Sequence, residues 1–250
     1  MKFKEFDNLI VNKVLLQPLS EEEFGGNENE YYNLHKDRIY KTLHVIPVDV
    51  GKEILDLGCE PGYIAIALKV SGYNVIGGSV NLINDFKERM DGFQIPIDVY
   101  NVDTDDLPYD NEQFDAILFS EVIEHLFYGV PHALKEINRV IKKGGFLILT
   151  TPNLARVPNR IRLVLGKSIN PELGGENPFF IRDIYKRHNR EYTLEELKYL
   201  LKKSSFKDVK HSYWNYPAHT YKKPLLKKGV NFLSKIVPKS KDIICVVAKK

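Results

Sequence analysis

The stretch that most constrains this chain is Glu53–Tyr63, which reads E-I-L-D-L-G-C-E-P-G-Y. Ile54, Leu55 and Leu57 form the short apolar run of a buried parallel strand. Gly58, Pro61 and Gly62 force a tight turn, and Ile64, Ala65, Ala67 and Leu68 begin a helix-spaced pattern. A strand, a glycine turn and a helix leave free backbone N–H groups at a helix N-terminus, a natural seat for a negatively charged group.

Spacing separates the nucleotide-handling families that use such a turn. A dinucleotide fingerprint needs G-x-G-x-x-G, and this turn offers only G-x-E-x-G. A phosphate loop needs a glycine five residues before its G-K-S, but Ile161 stands there before Gly166-Lys167-Ser168. What remains, L-D-L-G-C-x-P-G, closely resembles motif I of the class I S-adenosylmethionine (SAM) methyltransferases.

Periodicity along the rest of the chain agrees with that fold. Tyr31–Ile46 has helical spacing ending at Pro47. Strands are expected over Tyr73–Gly77, Ile95–Val102, Phe114–Phe119 and Phe146–Thr150, and helices over Asn81–Met90, Val122–Leu126 and Pro131–Ile141, the last ended by Gly144-Gly145. Thr193 starts a helix, and Phe206–Trp214 and Asp242–Ala248 read as a closing antiparallel pair of strands. Such alternation predicts an α/β fold: a doubly wound, seven-stranded, mostly parallel sheet with ligands at the carboxyl ends of its strands. Residues 1–47 are expected to form an N-terminal lid, and 48–250 one methyltransferase-like domain with insertions near 152–190 and 215–241. Plain helix packing is the favoured reading of Tyr31, Tyr32 and His35, with contact to a cofactor as the alternative.

Composition narrows the setting. The 250 residues are 43% hydrophobic and 28% charged, ordinary for a globular domain. Two cysteines, Cys59 and Cys245, exclude a disulfide framework or a thiolate zinc site. A net charge of +3 does not by itself argue for nucleic acid. No run reaches membrane-spanning length and no signal peptide is evident, so a cytoplasmic protein is expected.

The resemblance implies a SAM site. Asp56 would position the methionine end of SAM, Gly58 would admit the cofactor to the backbone, and Cys59, Gly62 and Ser120 would complete its surroundings. D-T-D-D-L-P-Y-D-N-E-Q-F-D over Asp103–Asp115 looks like the family's adenine motif, with Asp103 accepting from the amino group and the Thr104 backbone meeting the ring. Two positions depart from the pattern. Glu60 replaces a glycine of the turn, at a strain cost of about 1 kcal/mol or more if its φ is positive. Ser79 stands where an acid usually holds the ribose hydroxyls. A hydroxyl cannot make the charge-assisted bidentate pair of a carboxylate.

Glu121-Val122-Ile123-Glu124-His125 follows strand four. On a helix, Glu121, Glu124 and His125 share one face. This E-x-x-E-H string resembles the divalent-metal motif of small-RNA 2′-O-methyltransferases and of ubiquinone-pathway O-methyltransferases, and His188, in H-N-R-E-Y-T, has the spacing of the later histidine of the former. The resemblance implies the four as ligands for Mg²⁺ or Mn²⁺. Without a metal, His125 or His188 would be a general base or substrate anchor. The resemblance thus implies methyl transfer from SAM, with O-methylation of a small-molecule, sugar (glycan) or lipid-linked acceptor first. The alternatives are a metal-dependent RNA 2′-O-methyltransferase, or a non-catalytic relative serving as a partner subunit. Lys222–Lys241 is basic and amphipathic, suited to a peripheral membrane or RNA contact. Arg156, Arg160 and Arg162 extend such a patch or grip an acidic acceptor.

Overall fold

The computed structural model describes residues 1–47, 49–169, 188–215, 224–237 and 239–250. The helices are α1 (Phe3–Leu9, running into a π-helical turn at Ile10–Val14), α2 (Glu21–Phe24), α3 (Glu28–His44), α4 (Tyr63–Val70), α5 (Asn84–Gly92), α6 (Val130–Val140), α7 (Val157–Val164), α8 (Leu194–Lys203) and α9 (Pro224–Ile236). The strands are β1 (Glu53–Leu57), β2 (Asn74–Ser79), β3 (Ile97–Val99), β4 (Phe114–Ser120), β5 (Ile141–Pro152), β6 (Lys207–Trp214) and β7 (Ile243–Lys249).

The seven strands form one sheet in the order β3-β2-β1-β4-β5-β7-β6. Pairing is parallel from β3 to β5, while β7 runs antiparallel between β5 and β6. The expected doubly wound sheet with a closing antiparallel pair is therefore present. Alternate residues of each central strand enter opposite cores. Ile54, Ala116 and Leu118 join α1, α3, α4 and α5 on one side. Leu55, Leu57, Ile117 and Phe119 join α6 and α8 on the other. Strands buried on both faces read as continuous apolar runs, which is why they were legible.

The N-terminal helices share the first core. Phe6, Ile10, Tyr32 and Ile39 pack with Tyr63, Ile66 and Phe86. A buried polar hub fastens them: Arg89 Nη1 donates to Glu28 Oε1 at 2.6 Å and to the Pro61 carbonyl at 3.0 Å, while Tyr63 donates to the same Glu28 oxygen at 2.8 Å. Helix α3 is thereby tied to the glycine turn itself.

Three local expectations are corrected. Strand β3 is only Ile97–Val99, because pairing with β2 ends there and the chain turns back at Asn101, whose N–H donates to Asp105. Gly144-Gly145 do not end α6, which stops at Val140; they lie within β5, Gly144 at φ +80°, where the register against β4 shifts. Val122–Leu126 is not a helix but a single 3₁₀ turn, Ile123–His125. Among the described residues, no helix is long and apolar enough to cross a membrane.

Candidate active site

The sheet order reverses direction between β1 and β4, and a crevice opens at their carboxyl ends, as such sheets favour. Gly58 at φ +79° and Gly62 at φ +96° shape the turn after β1. A side chain at Gly58 would also strike Val122, its Cβ lying 2.3 Å from Cγ2. Glu60 is not left-handed, so the anticipated strain is absent.

Two adjoining cavities fill the crevice. One, of about 220 Å³, is lined by Gly58, Glu60, Ser79, Asn101, Glu121 and His125 among others. The second, of about 90 Å³, is lined by Tyr31, Arg38, Asp56, Cys59, Ser120 and Glu121. A wider groove of about 680 Å³ lies beyond, lined by Phe127, Tyr128, Tyr192 and Tyr199. It shares only Leu126 with the first cavity and holds none of the buried carboxylates, so the chemistry belongs to the smaller pair.

The crevice is acidic and dry enough to matter. Asp56 is 2% exposed, and burial pushes its carboxyl up to about 7, opposed by a backbone hydrogen bond from Ala65. Glu121 pairs with Arg38 of α3 at 3.4 Å, yet its Oε1 is buried without a hydrogen-bond partner. Such an orphaned acceptor calls for a cationic or donor ligand. Arg38 also donates to Tyr31 at 3.2 Å. This buried arginine was missed in the sequence. The signal was there, since Tyr31 and Arg38 lie two helical turns apart on one face. Of the other aromatic residues singled out in α3, Tyr32 is fully buried against Asp7, and the His35 ring lies tilted against Tyr31 at 4.4 Å.

The adenine-motif residues sit differently from expectation. Asp103 is buried, and its carboxylate accepts from the N–H groups of Phe127, Tyr128 and Gly129 at 2.6–3.1 Å. It organises the start of α6 and is absent from the cavity lining, where Asn101 and Val102 stand. Thr104 donates its hydroxyl to Asp105 at 2.9 Å.

Around the 3₁₀ turn the sequence grouping is rearranged. Glu121 takes φ +58°, so the three-residue helix face never forms. Glu124, His125 and His188 converge instead, each offering a ligand atom within 4.8 Å of the others. The His125 and His188 rings meet edge to face at 4.8 Å. Thr151-Pro152-Asn153, at and just after the end of β5, holds this group. Thr151 donates to Glu124 Oε2 at 2.9 Å, and Asn153 bridges to Tyr192. Asn189 donates its N–H to the Glu124 carbonyl and its amide to the His125 carbonyl, both at 2.7 Å. Glu124 is fully buried with Oε1 unpartnered, and burial, reinforced by the Glu121 charge, pushes its carboxyl well up. His188 is lowered by burial and by the nearby Arg156 charge.

A family profile described as a methyltransferase domain matches residues 33–211, most of the chain, from within α3 to within β6. The chain belongs to the class I SAM-dependent methyltransferase family. SAM is that family's cofactor, and the acidic crevice with its orphaned Glu121 oxygen fits a ligand carrying a sulfonium and an ammonium. Among known relatives, the demethylmenaquinone methyltransferase of Clavibacter sepedonicus is 30% identical over 141 residues, 54% of this chain and 56% of that one. A ubiquinone biosynthesis O-methyltransferase of Cereibacter sphaeroides is 30% identical over 105 residues, 41% of this methyltransferase and 42% of that protein. The chain thus spans about half the length of these curated relatives or less. A SAM-dependent methyltransferase from Archaeoglobus fulgidus superposes with a TM-score of 0.58 at 18% identity, covering 92% of this chain and 97% of that one, a likeness of fold.

Proposed function

We propose that this methyltransferase moves the methyl group of SAM to an oxygen of a small aromatic or lipid-linked acceptor, with His125 as the base that receives the acceptor's proton. One observation carries this reading: His125 lines the cofactor cavity and also belongs to the group with Glu124 and His188. On this reading His125 is the proton acceptor beside the transferred methyl, held from behind through its backbone by Asn189. SAM supplies an electrophilic methyl on an excellent leaving group. The residues are left to align the attacking oxygen and remove its proton. The names of the two relatives, which refer to demethylmenaquinone and ubiquinone, favour a quinone-like acceptor. The experiment is transfer of labelled methyl from SAM to phenolic and catechol acceptors by wild type and His125→Ala. We expect turnover by the wild type, falling ~10²–10⁴-fold in the variant with SAM affinity retained. Full turnover by His125→Ala would refute the assignment.

The unpartnered Glu124 Oε1 favours a second reading of the same group, as a divalent-metal site. One carboxylate and two imidazoles suit Mn²⁺ better than Mg²⁺, which prefers oxygen ligands. Glu124, His125 and His188 would hold the ion, which would polarise the acceptor oxygen.

Acceptor delivery fits α9. Phe232 and Ile236 are 64% and 59% exposed, beside exposed Lys228 and Lys235, the pattern of a helix lying on an anionic lipid surface. Lys222 and Lys223 lie outside the described residues. Sedimentation with anionic liposomes, lost in Phe232→Ser/Ile236→Ser, is the expected result; binding to RNA alone would contradict it.

A further inference from the structure

The two departures from the SAM pattern, Glu60 and Ser79, are far apart in sequence but touch in space. Glu60 Oε1 lies 3.1 Å from Ser79 Oγ, and both residues line the larger cofactor cavity. The carbonyl of Gly78 fixes their relative position, accepting from Gly58 N–H at 2.8 Å and Cys59 N–H at 3.2 Å. The glycine turn is therefore stitched to the end of β2 immediately beside both side chains.

We propose that Glu60, set beside Ser79, is the carboxylate that takes the ribose diol of the nucleoside cofactor, supplied by the glycine turn in place of β2. The proton count at Ser79 supports this. A serine hydroxyl has one hydrogen, and the Asn81 carbonyl at 2.6 Å is a nearer acceptor than Glu60 at 3.1 Å. The hydroxyl also accepts from Asn81 N–H at 3.3 Å, so this small ring of bonds fixes Oγ. Glu60 lines the cavity, and its carboxylate offers about four lone-pair sites. A vicinal diol presents two donors at the spacing that a carboxylate accepts bidentately, and such charge-assisted bonds are the stronger ones. The exchange also accounts for both substitutions at once. An acid at position 79 would place a second carboxylate against Glu60, and like charges at that distance disfavour one another.

This inference rests on the reading of the crevice as a SAM site, and the experiment separates the two. Calorimetry would compare S-adenosylhomocysteine with its 2′-deoxy and 3′-deoxy analogues on wild type, Glu60→Gln and Glu60→Gly/Ser79→Asp. We expect wild type to prefer the diol-bearing ligand. Glu60→Gln should lose affinity for it on the order of 10- to 100-fold, with little change for the deoxy analogues. The double variant, which returns the acid to the end of β2, should recover the preference. Glu60 is exposed, so the single variant should fold as wild type, checked by its unfolding midpoint. Wild-type binding left unchanged in Glu60→Gln, or lost equally for all three ligands, would overturn the inference alone. Absence of wild-type binding would overturn it together with the SAM reading.

Discussion

Arg38 of the N-terminal helix and Glu121 of the loop after β4 pair at 3.4 Å across the cofactor crevice. One charge comes from an element outside the sheet and the other from a left-handed residue just past the carboxyl end of the central strand β4, so the pair exists only when α3 is docked. Both side chains line the smaller cavity. Together they offer a cation and an orphaned carboxylate oxygen, charges complementary to the two ends of an amino-acid moiety. Replacing Arg38 with Met should weaken SAM binding roughly 10- to 100-fold, the range for a lost hydrogen bond to a charged group. Decarboxylated SAM should bind the variant and wild type alike. Equal losses for both ligands in calorimetry would assign Arg38 a purely structural role.

Asp56 should make cofactor binding pH-dependent. Its carboxyl is raised by burial from 3.8 to about 7 in the folded chain. A cationic ligand favours the ionised form, so SAM affinity should be flat above pH ~7.5 and fall up to tenfold per unit below pH ~7. Stability runs the other way. The folded state holds a proton that the unfolded state releases between these two values, so stability contributed by protonated Asp56 is lost as pH rises from about 4 to 7. Asp56→Asn should flatten both profiles, and chemical denaturation at several pH values checks the second.

Glu28 holds the N-terminal helices to the glycine turn. It is 2% exposed and accepts from Arg89, Tyr63 and the Leu19 N–H. Glu28→Ala leaves the nearly buried Arg89 guanidinium unpaired, which should cost ~3–5 kcal/mol in urea unfolding. SAM binding should weaken with it, since the Pro61 carbonyl loses a fixed donor. An unfolding curve unchanged from wild type would show that the hub is not structural.

The pattern of these results follows what a linear sequence can carry. Strand identity, the glycine turn and the antiparallel closing pair were legible, because burial on both faces and left-handed glycines impose residue type locally. The placement of Asp103 was not, since its partners are backbone N–H groups 24 to 26 residues away, which leave no trace in residue identity. The regrouping of Glu124 and His125 with His188 turns on one dihedral at Glu121, set by its N–H bond to the Thr150 carbonyl in the neighbouring strand. The Glu60–Ser79 contact was hidden for a similar reason: each looked like a loss, and only the spatial pairing makes them one feature.

Glu124 gives the metal reading its own test. In chelator, Glu124→Gln should change stability by less than ~1 kcal/mol, because the amide oxygen still accepts from Thr151 and no buried charge is lost. Titration with Mn²⁺ should show binding in wild type and none in the variant. Wild type without Mn²⁺ affinity, and with turnover indifferent to chelator, would leave His125 acting as a metal-free base.

The most direct test of the account as a whole is calorimetric titration of the wild-type chain with SAM and S-adenosylhomocysteine. Saturable micromolar binding of both is predicted, competitive between them and weakened by Arg38→Met. A wild-type chain that binds neither would contradict the assignment of the acidic crevice as a working methyl-donor site.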